Sequence, residues 1–244
     1  MLLKILHCAP MTPQAFVKTE ADGVSILLET RQGLTLVDTG LGLHDHLAPD
    51  RYMKLMRKLM GWHRNPEATA ARQLLQLGIP PAAVKHIILS HAHFDHAGGL
   101  PDFPNAQVHL RQRELDAIHH PRRFLDLVGH HPVDFAHAPD WCTYGDQGKD
   151  WHGFRAIPLP FTPRIYLVEL FGHTNGHCGV LIEKGNSQWL LYTGDAAPTG
   201  LDYGMAPDWL MMLALGKASL LLKDLIAAHP EIEFIPGHVW VEEQ

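Results

Sequence analysis

The stretch SHAHFDHAGG, residues 90–99, places three histidines and one aspartate within six positions. His91 and His93 are two positions apart, and alternate residues of an extended segment point to the same side, so both imidazoles can reach one metal ion. Asp95 and His96 come next and can turn towards a second metal, because the two glycines after them permit a tight turn. The stretch therefore predicts a metal site built on the apolar run that precedes it.

A histidine-rich chain can produce such a string by chance, and this one has 19 histidines in 244 residues. The rest of the sequence decides the matter, because four more motifs place a polar side chain at the end of an apolar, strand-like run. VDTG (37–40), GHTNGH (172–177), YTGD (192–195) and PGH (236–238) supply Asp38, His173, Asp195 and His238 in that order. This repetition at strand ends is much harder to obtain by accident, and it predicts one shared site.

In their order and separation, these motifs resemble those of the metallo-β-lactamase superfamily. The resemblance covers about residues 24–240, which is nearly the whole chain. It implies an α/β fold in the form of a four-layer αββα sandwich, with the metals between strand ends at one edge. We therefore expect the strand-end motifs to meet at a single edge of two packed sheets.

The same resemblance implies a site for two divalent metal ions. The first metal would be bound by His91, His93 and His173, the second by Asp95, His96 and His238, and Asp195 would bridge them. Asp38 would orient ligands through hydrogen bonds without binding a metal, a role that metal sites commonly need. The donor types suit zinc, with iron or manganese as alternatives that metal availability decides.

Composition limits the class of protein. The hydrophobic content of 46% and charged content of 19% are those of an ordinary globular protein, and the net charge of −6 gives no reason to expect nucleic acid or an anionic membrane as a partner. No apolar run approaches the length of about 18 residues that a membrane span needs. Three widely spaced cysteines and the interrupted N-terminal apolar stretch fit the cytoplasm. We expect one domain over residues 1–244, with a small-molecule substrate.

Apolar patterning predicts a mixture of strands and helices, and thus a layered α/β protein. The predicted strands are 24–29, 34–38, 86–90, 106–110, 164–171, 178–183, 189–194 and 232–236. The predicted helices are 51–60, 66–78, 111–120 and 207–229, the last with a break near Gly216. Residues 121–160 are poorly patterned and rich in proline, histidine and aromatic side chains, so we expect mostly loop there.

The ligand types narrow the activity within the superfamily. Redox members of this fold carry Glu at the place of His93, and many β-lactamases carry Cys at the place of Asp195. HFDHAGG is most similar to the quorum-quenching lactonases, so the resemblance implies hydrolysis of a lactone or a carboxylic ester. That group has a tyrosine three residues after the bridging aspartate, whereas this chain has Pro198, with Tyr192 and Tyr203 nearby in the sequence.

Two other functions stay open. A thioesterase of the glyoxalase II kind usually carries an additional C-terminal region, whereas this sequence ends six residues after His238. A metal-binding sensor or pathway effector is a different class, which would keep the fold without useful turnover. Such a protein has no need of all seven ligands, so the complete set favours an enzyme.

The implied mechanism uses both metals. Two metals that share a bridging water lower its pKa towards neutrality, and the resulting hydroxide attacks the substrate carbonyl. One metal polarises the carbonyl oxygen while the other stabilises the departing group. Asp95 belongs to the second metal, and we expect it to be the catalytic residue that passes a proton to the leaving group.

Several residues outside the motif set have plainer interpretations. We expect His177 to form a structural hydrogen bond beneath the site and Cys178 to be a small buried residue. The remaining histidines of the irregular region are expected to be solvated loop residues: His119, His120, His130, His131 and His137. The methionines of 51–60, together with Trp209, Met211 and Met212, fit the core, with an acyl-binding or homodimer-forming role as the alternative.

Overall fold

The fold is built on two β-sheets that face each other. The computed structural model describes residues 3–12, 20–186, 188–197 and 216–240. Across the first sheet lie β1 (Leu3–His7), β2 (Ala21–Thr30), β3 (Gly33–Val37), β4 (Val84–Ile88), β5 (Gln107–Arg111) and β6 (Asp140–Tyr144), and β13 (His238–Trp240) pairs with the start of β2. Across the second lie β12 (Ile232–Ile235), β11 (Gln188–Tyr192), β10 (Cys178–Gly185), β9 (Ile165–Glu169), β8 (Phe154–Leu159) and β7 (Lys149–Trp151).

Helices cover the outer faces and the connections. They are α1 (Leu43–Leu47), α2 (Arg51–Met60), α3 (Ala70–Gln76), α4 (Phe94–Ala97), α5 (Gln112–His119), α6 (Phe124–Gly129) and α7 (Lys217–Ala228). Short 3₁₀ turns occupy Pro66–Ala68, Pro81–Ala83, Leu100–Asp102, Pro132–Phe135 and Gly194–Ala196. None of the helices in the described ranges combines the length and apolar character that a membrane crossing requires.

The side chains of β2 are buried on both faces of the first sheet, which shows how this sheet forms an internal layer. Ile26 and Leu28 pack between the sheets, together with residues of β9 and β10. Leu27 points to the opposite face and packs with Leu74 of α3, because successive side chains of a strand alternate between its faces. β2 is therefore apolar at consecutive positions, as expected for a strand that is covered on both sides.

The second sheet is covered in the same way. Val180 and Ile182 of β10 face the first sheet, while Leu181 between them packs with Leu222 and Leu225 of α7. The order of layers is thus helices, sheet, sheet, helices. The prediction of a four-layer αββα sandwich is confirmed, whereas the prediction of one domain over 1–244 stays a prediction.

Parallel pairing brings the functional motifs to one edge. β3 and β4 run parallel, so Asp38 and Ser90 lie side by side where these strands end, and the parallel pair β11 and β12 places Asp195 beside Gly237. A backbone hydrogen bond of 2.9 Å from Cys178 N to Ser90 O links the two sheets here. A Cβ atom on Gly237 would lie 2.6 Å from Asp195 Oδ1, so this close approach requires glycine.

The predicted helix at 51–60 coincides with α2, and the predicted helix at 66–78 is a 3₁₀ turn followed by α3. The prediction of mostly loop for 121–160 is wrong, because α6, β6, β7 and β8 lie there. Pro158 obscures β8 in the sequence, since proline cannot donate to a sheet. It is tolerated because β7 pairs with β8 at Phe154, Arg155 and Ala156, so Pro158 lies beyond the end of β7.

Candidate metal centre

Seven histidine and aspartate side chains converge at this edge of the sandwich, and we call them the strand-end cluster. They are His91, His93, Asp95, His96, His173, Asp195 and His238. Four come from the loop and short helix after β4, and the others follow β9, β11 and β12. The structure thus brings together all the residues that the motifs predicted as ligands.

The cluster divides into overlapping groups whose donor atoms lie within 4.8 Å of one another. These are His91, His93 and His173; Asp95, His96 and His238; and His91, His96 and Asp195. In the first group His173 Nε2 lies 3.0 Å from His93 Nδ1, and in the second His238 Nε2 lies 3.5 Å from Asp95 Oδ2. The first two groups are the same as the two ligand sets that the sequence resemblance implied.

Asp195 lies between these two groups. Its Oδ2 atom is 3.3 Å from His173 Nε2, on the side of the first group. Its Oδ1 atom is 3.1 Å from His96 Nε2 and 3.5 Å from His238 Nε2, on the side of the second group. The carboxylate therefore offers one oxygen to each group, which is the geometry that a bridging ligand needs.

Several donor atoms in the cluster are buried without a hydrogen bond. Nε2 of His91, Nε2 of His96 and Oδ1 of Asp195 have no hydrogen-bond partner among the described residues. Buried polar atoms are nearly always paired, so a converging group of unpaired ones needs another partner. Imidazole nitrogen and carboxylate oxygen are ordinary ligands of zinc and similar divalent metals, so these residues fit such ions.

Burial and mutual charge set the protonation of the cluster. Burial, together with the neighbouring histidines, holds the pKa of His91 and of His93 well below the ordinary value, which leaves their imidazoles neutral. Burial opposes the charged form of His96, but Asp195 and Asp38 outweigh it and raise its pKa well above the ordinary value. His96, His238 and His173 lower the pKa of Asp195 well below its ordinary value despite its burial. The carboxylate is therefore ionised and the first group neutral, as metal ligands must be.

Asp38 lies directly behind the cluster and is completely buried. Its Oδ1 atom accepts from the Ser90 backbone N–H at 2.7 Å, and its Oδ2 atom lies 2.8 Å from His96 Nδ1. The Tyr192 hydroxyl donates to the same Oδ2 atom at 2.8 Å. These contacts direct Nε2 of His96 towards Asp195. They support the predicted orienting role of Asp38, and they place the Tyr192 hydroxyl behind the cluster, within the protein interior.

Glu114 of α5 is a second buried carboxylate behind the cluster, and the sequence analysis missed it. It accepts from Ala92 N–H at 2.8 Å, from the Thr174 hydroxyl at 2.7 Å and from Gly176 N–H at 3.0 Å. It therefore ties the loop of His91 and His93 to the loop of His173. Helical spacing could have indicated its burial, because Glu114 and Ala117 are three residues apart and share the buried face of α5.

His177 and Cys178 lie beneath the cluster. His177 Nε2 accepts a hydrogen bond of 3.0 Å from the backbone N–H of Asp195, and burial with the charge of His173 lowers the pKa of His177 to about 3. The imidazole is therefore neutral and holds the Asp195 turn, as expected for a structural role. Cys178 is fully buried and its pKa is raised by that burial, which confirms the prediction of a small core residue.

Two histidines of the irregular region are not solvated, contrary to the prediction. His130 is buried with Nε2 3.6 Å from Glu114 Oε1, and His131 is buried between Asp50 and Asp134. The prediction failed because the region is not an open loop: α6 and the 3₁₀ turn Pro132–Phe135 pack it onto the site. His119, His120 and His137 are exposed, as predicted.

The segments proposed to border the substrate are only partly described. Met53 is buried in a core with Trp62 and Phe94, Met56 packs against that core, and Met60 is 46% exposed. Four other residues considered for this region lie outside the described residues: Tyr203, Trp209, Met211 and Met212. Pro198, which stands at the place of the lactonase tyrosine, also lies outside them. The described methionines of α2 therefore serve mainly as core.

Known proteins resemble this chain in sequence. A probable metallo-hydrolase of Mycobacterium tuberculosis is 39% identical over 173 residues, which are 70% of this chain and 55% of that protein. An N-acyl homoserine lactonase of Bacillus cereus is 29% identical over 179 residues, which are 71% of this chain and 63% of that enzyme. This chain thus spans little more than half the length of the first relative and under two-thirds of the second.

The fold has a solved counterpart as well. The structure of an N-acyl homoserine lactone hydrolase with N-hexanoyl-L-homoserine bound at its catalytic metal centre superposes with a TM-score of 0.70 at 21% identity, covering 97% of this chain and 92% of the other. At this identity the likeness concerns the fold. The sequence also matches the metallo-β-lactamase superfamily over residues 19–238, from the start of β2 to the last histidine of the cluster. The chain therefore belongs to the metallo-β-lactamase superfamily.

Proposed function

We propose that this protein is a dinuclear metal-dependent hydrolase that opens lactones or cleaves carboxylic esters. The observation that carries the proposal is the position of Asp195, whose two oxygens face two separate groups of ligand nitrogens. One oxygen lies 3.3 Å from His173 and the other lies 3.1 Å from His96. A carboxylate shared in this way suits two ions side by side, and the nitrogen and oxygen donors favour zinc, with iron or manganese as alternatives.

We assign the residues of the strand-end cluster to two metal ions. His91, His93 and His173 would hold the first metal, and His96 and His238 would hold the second with Asp95. When bound, such ions supply hydroxide at neutral pH and act as Lewis acids on a carbonyl. The side chains of His173 and Asp95 are 14% and 12% exposed, whereas that of His96 is 1% exposed, so the side of the cluster that carries these two residues is open to a substrate.

Asp95 is the residue we propose for proton transfer. Its carboxylate reaches the open side of the cluster, and its Oδ2 atom lies 3.5 Å from His238 Nε2. The charges of His238 and His96 overcome its burial and lower its pKa, so the group starts ionised and able to accept a proton. It can then release that proton to the departing alkoxide, which makes the leaving group neutral.

The comparisons support a substrate class to test first. The relative from Bacillus cereus is an N-acyl homoserine lactonase, and the solved counterpart holds an N-acyl homoserine at its metal centre. We therefore propose a small lactone with an acyl chain as the first substrate to test. Carboxylic esters share the same carbonyl chemistry and come next, and thioesters distinguish the glyoxalase II-like alternative.

The test combines metal analysis with a substrate panel. The protein is freed of metal with a chelator, reloaded separately with Zn²⁺, Mn²⁺ or Fe²⁺, and assayed on N-hexanoyl homoserine lactone, an aryl ester and a glutathione thioester. We expect activity only after reloading, with kcat/KM highest for the lactone or the aryl ester. His119→Gln alters an exposed histidine on α5 and serves as the matched control, with unchanged activity.

Three outcomes would contradict the proposal. Activity that persists in metal-free protein would remove the metal from the mechanism. A fully loaded protein without turnover on any of the three substrates would favour a sensor or effector that keeps the ligands without catalysis. A preference for the thioester would replace the lactonase assignment by that of a thioesterase.

A further inference from the structure

We propose that the chain has an additional, mononuclear divalent-cation site beside the C-terminal end of α4, formed by His44, Asp45, His131 and Asp134. We call these four residues the outer cluster. One donor atom from each of them lies within 4.8 Å of the donor atoms of the others. None of the four belongs to the strand-end cluster, and none was singled out as a ligand by the sequence motifs.

Distances between the donor atoms fit a single small cation. His44 Nε2 lies 3.1 Å from Asp45 Oδ1 and 3.1 Å from Asp134 Oδ1, and His131 Nδ1 lies 3.1 Å from the same Asp134 oxygen. Bonds of 2.0–2.2 Å to a tetrahedral zinc ion separate neighbouring ligands by about 3.3–3.6 Å. The observed separations therefore need only a few tenths of an ångström of expansion around an ion.

Unpaired buried oxygens indicate that something beyond the four side chains completes the group. The side chains of Asp45 and Asp134 are 1% and 0% exposed. Yet Oδ1 of Asp45 and Oδ2 of Asp134 have no hydrogen-bond partner within the described part of the chain. Burying a carboxylate oxygen without a donor is energetically unfavourable, so such an oxygen needs a partner. The strand-end cluster shows the same signature at His91, His96 and Asp195.

Supporting hydrogen bonds orient the ligands as in known metal sites. His131 directs Nδ1 at the cluster while its Nε2 atom lies 3.1 Å from Asp50 Oδ2. Metal-binding histidines typically donate their second N–H to a carboxylate in this way. Asp45 uses Oδ2 to accept from the Gly42 backbone N–H at 2.8 Å, which leaves Oδ1 for the cluster.

Charge and access point to the same ligand. Burial opposes the charged form of His44, but Asp134 and Asp45 outweigh it and raise its pKa to about 10, and Asp134 with Asp50 raises the pKa of His131 in the same way. A divalent cation would therefore take the place of these protons and balance the charge of about −2 that the two carboxylates carry beside neutral imidazoles. Two nitrogen and two oxygen donors suit zinc and related transition metals better than calcium or magnesium, which prefer all-oxygen sites. The side chain of His44 is 27% exposed, so an ion can enter from solvent past this residue.

An ion here would connect segments that are distant in sequence. His44 and Asp45 belong to α1, whereas His131 and Asp134 belong to the turn after α6. A Cβ atom on Gly98 would lie 2.8 Å from Asp45 Oδ2, so Asp45 packs against the end of α4, the helix that carries Asp95 and His96. The site would therefore clamp α1 and the 131–134 turn against the back of the strand-end cluster.

The experiment counts bound zinc. Metal-free protein is loaded with excess Zn²⁺, passed through a desalting column, and analysed by mass spectrometry for zinc per chain. Wild type should bind one more zinc than His44→Gln, whose change removes the most exposed ligand. Asp45→Asn should show the same loss, because its amide oxygen can still accept from Gly42 N–H while the charge of the donor is gone. His119→Gln, at an exposed histidine on α5, should bind as much as wild type.

The test compares zinc per chain between wild type and the outer-cluster variants and does not depend on the total. Its result is therefore valid whether or not the strand-end cluster binds two ions. Making the changes in an Asp195→Ala background lowers the total, and the loss of one zinc by His44→Gln must persist there. Circular dichroism and thermal unfolding verify that each variant is folded. Equal zinc in wild type and in both folded variants would overturn the proposal and reduce the outer cluster to a hydrogen-bonded network.

Discussion

The strand-end cluster and the outer cluster both lie near α4, and both bring histidines and aspartates into the protein interior. They differ in the carboxylates that support them from behind. Asp38 and Glu114 behind the strand-end cluster are 0% and 1% exposed. The side chain of Asp50, behind the outer cluster, is 47% exposed. The strand-end cluster is therefore supported by hydrogen bonds in a low-dielectric interior, whereas the outer cluster is supported by a hydrogen bond that solvent water weakens.

This difference has a consequence for metal binding. Hydrogen bonds between buried groups are electrostatically stronger than those at the surface, and exposed ion pairs contribute about 0–1 kcal/mol. A firmly supported ligand loses less entropy when an ion binds. We therefore expect the strand-end cluster to retain metal at chelator concentrations that empty the outer cluster.

The largest effect is expected from the residue between the two groups of the strand-end cluster. Asp195→Ala removes both of its oxygens, so kcat/KM should fall by at least about a thousandfold, because attack by ordinary water lacks the metal-lowered pKa. Bound zinc should fall by at least one ion per chain. The ion at the outer cluster, which His44→Gln removes, should stay bound in Asp195→Ala. Kinetics on the best substrate and zinc analysis measure both. Activity within tenfold of wild type would contradict a bridging role.

The next effect concerns the support provided by Glu114. Glu114→Ala leaves Ala92 N–H, Gly176 N–H and the Thr174 hydroxyl without their acceptor, and each buried orphan costs about 1–3 kcal/mol. We expect the free energy of unfolding of the metal-free protein to fall by about 3 kcal/mol, measured by urea denaturation.

Thr174→Val provides the matched control for this change, because it removes one of the three hydrogen bonds and leaves the carboxylate in place. Its cost should be about 1 kcal/mol. If Glu114→Ala costs no more than Thr174→Val, the buried carboxylate does not hold the two ligand loops together, and the contrast between the clusters loses one of its supports.

The same contrast explains what the sequence could predict. The residues of the strand-end cluster follow strand ends, and His91, His93, Asp95 and His96 lie close together in the sequence, so they could be predicted as candidate ligands directly. The outer cluster combines α1 with a turn almost 90 residues later, and nothing local marks His44 or Asp134 as partners. Only tertiary packing brings them together.

The burial of individual polar residues was also not predicted from the sequence. His130 and His131 lie in a segment without periodicity, and such segments are usually solvated, yet α6 packs this one onto the site. Glu114 looked like an ordinary charged helix residue, although its position on the buried stripe of α5 was readable. The existence of β2 and β10 was predicted correctly because each contains three consecutive large apolar residues, at 26–28 and 180–182.

A matched pair of substitutions compares the supports of the two clusters directly. Asp38→Asn weakens the contacts to Ser90, His96 and Tyr192, and loss of such a support typically reduces metal affinity or activity by about 10–100-fold. Asp50→Asn removes the charge beside His131 at a solvated position, so zinc affinity of the outer cluster should fall by less than about fivefold. Zinc titration against a competing chelator measures both. Equal effects would show that burial of the support does not matter.

The last prediction concerns a pair of histidines outside both clusters, His86 and His109, and separates the effect of protons on stability from the effect of metal. His109 is buried, with its ring nitrogens 3.1 Å from His86 Nδ1 and 2.8 Å from the Tyr144 hydroxyl. Burial and the charge of His86 lower the pKa of His109 to about 4 from 6.5. The unfolded chain therefore binds more protons than the folded chain between these values, and the free energy of unfolding falls as the pH drops through this window.

For His109 alone this loss should be about 2 kcal/mol between pH 7 and pH 4.5. The measurement is urea denaturation at both pH values in the presence of a chelator, so that proton competition for the metal ligands does not contribute. His109→Gln cannot titrate but can still hydrogen-bond to Tyr144, so the difference between the two pH values should shrink by that amount. An unchanged difference would mean that His109 is already accessible to protons in the folded protein, and that acid sensitivity arises at the buried histidines of the two clusters.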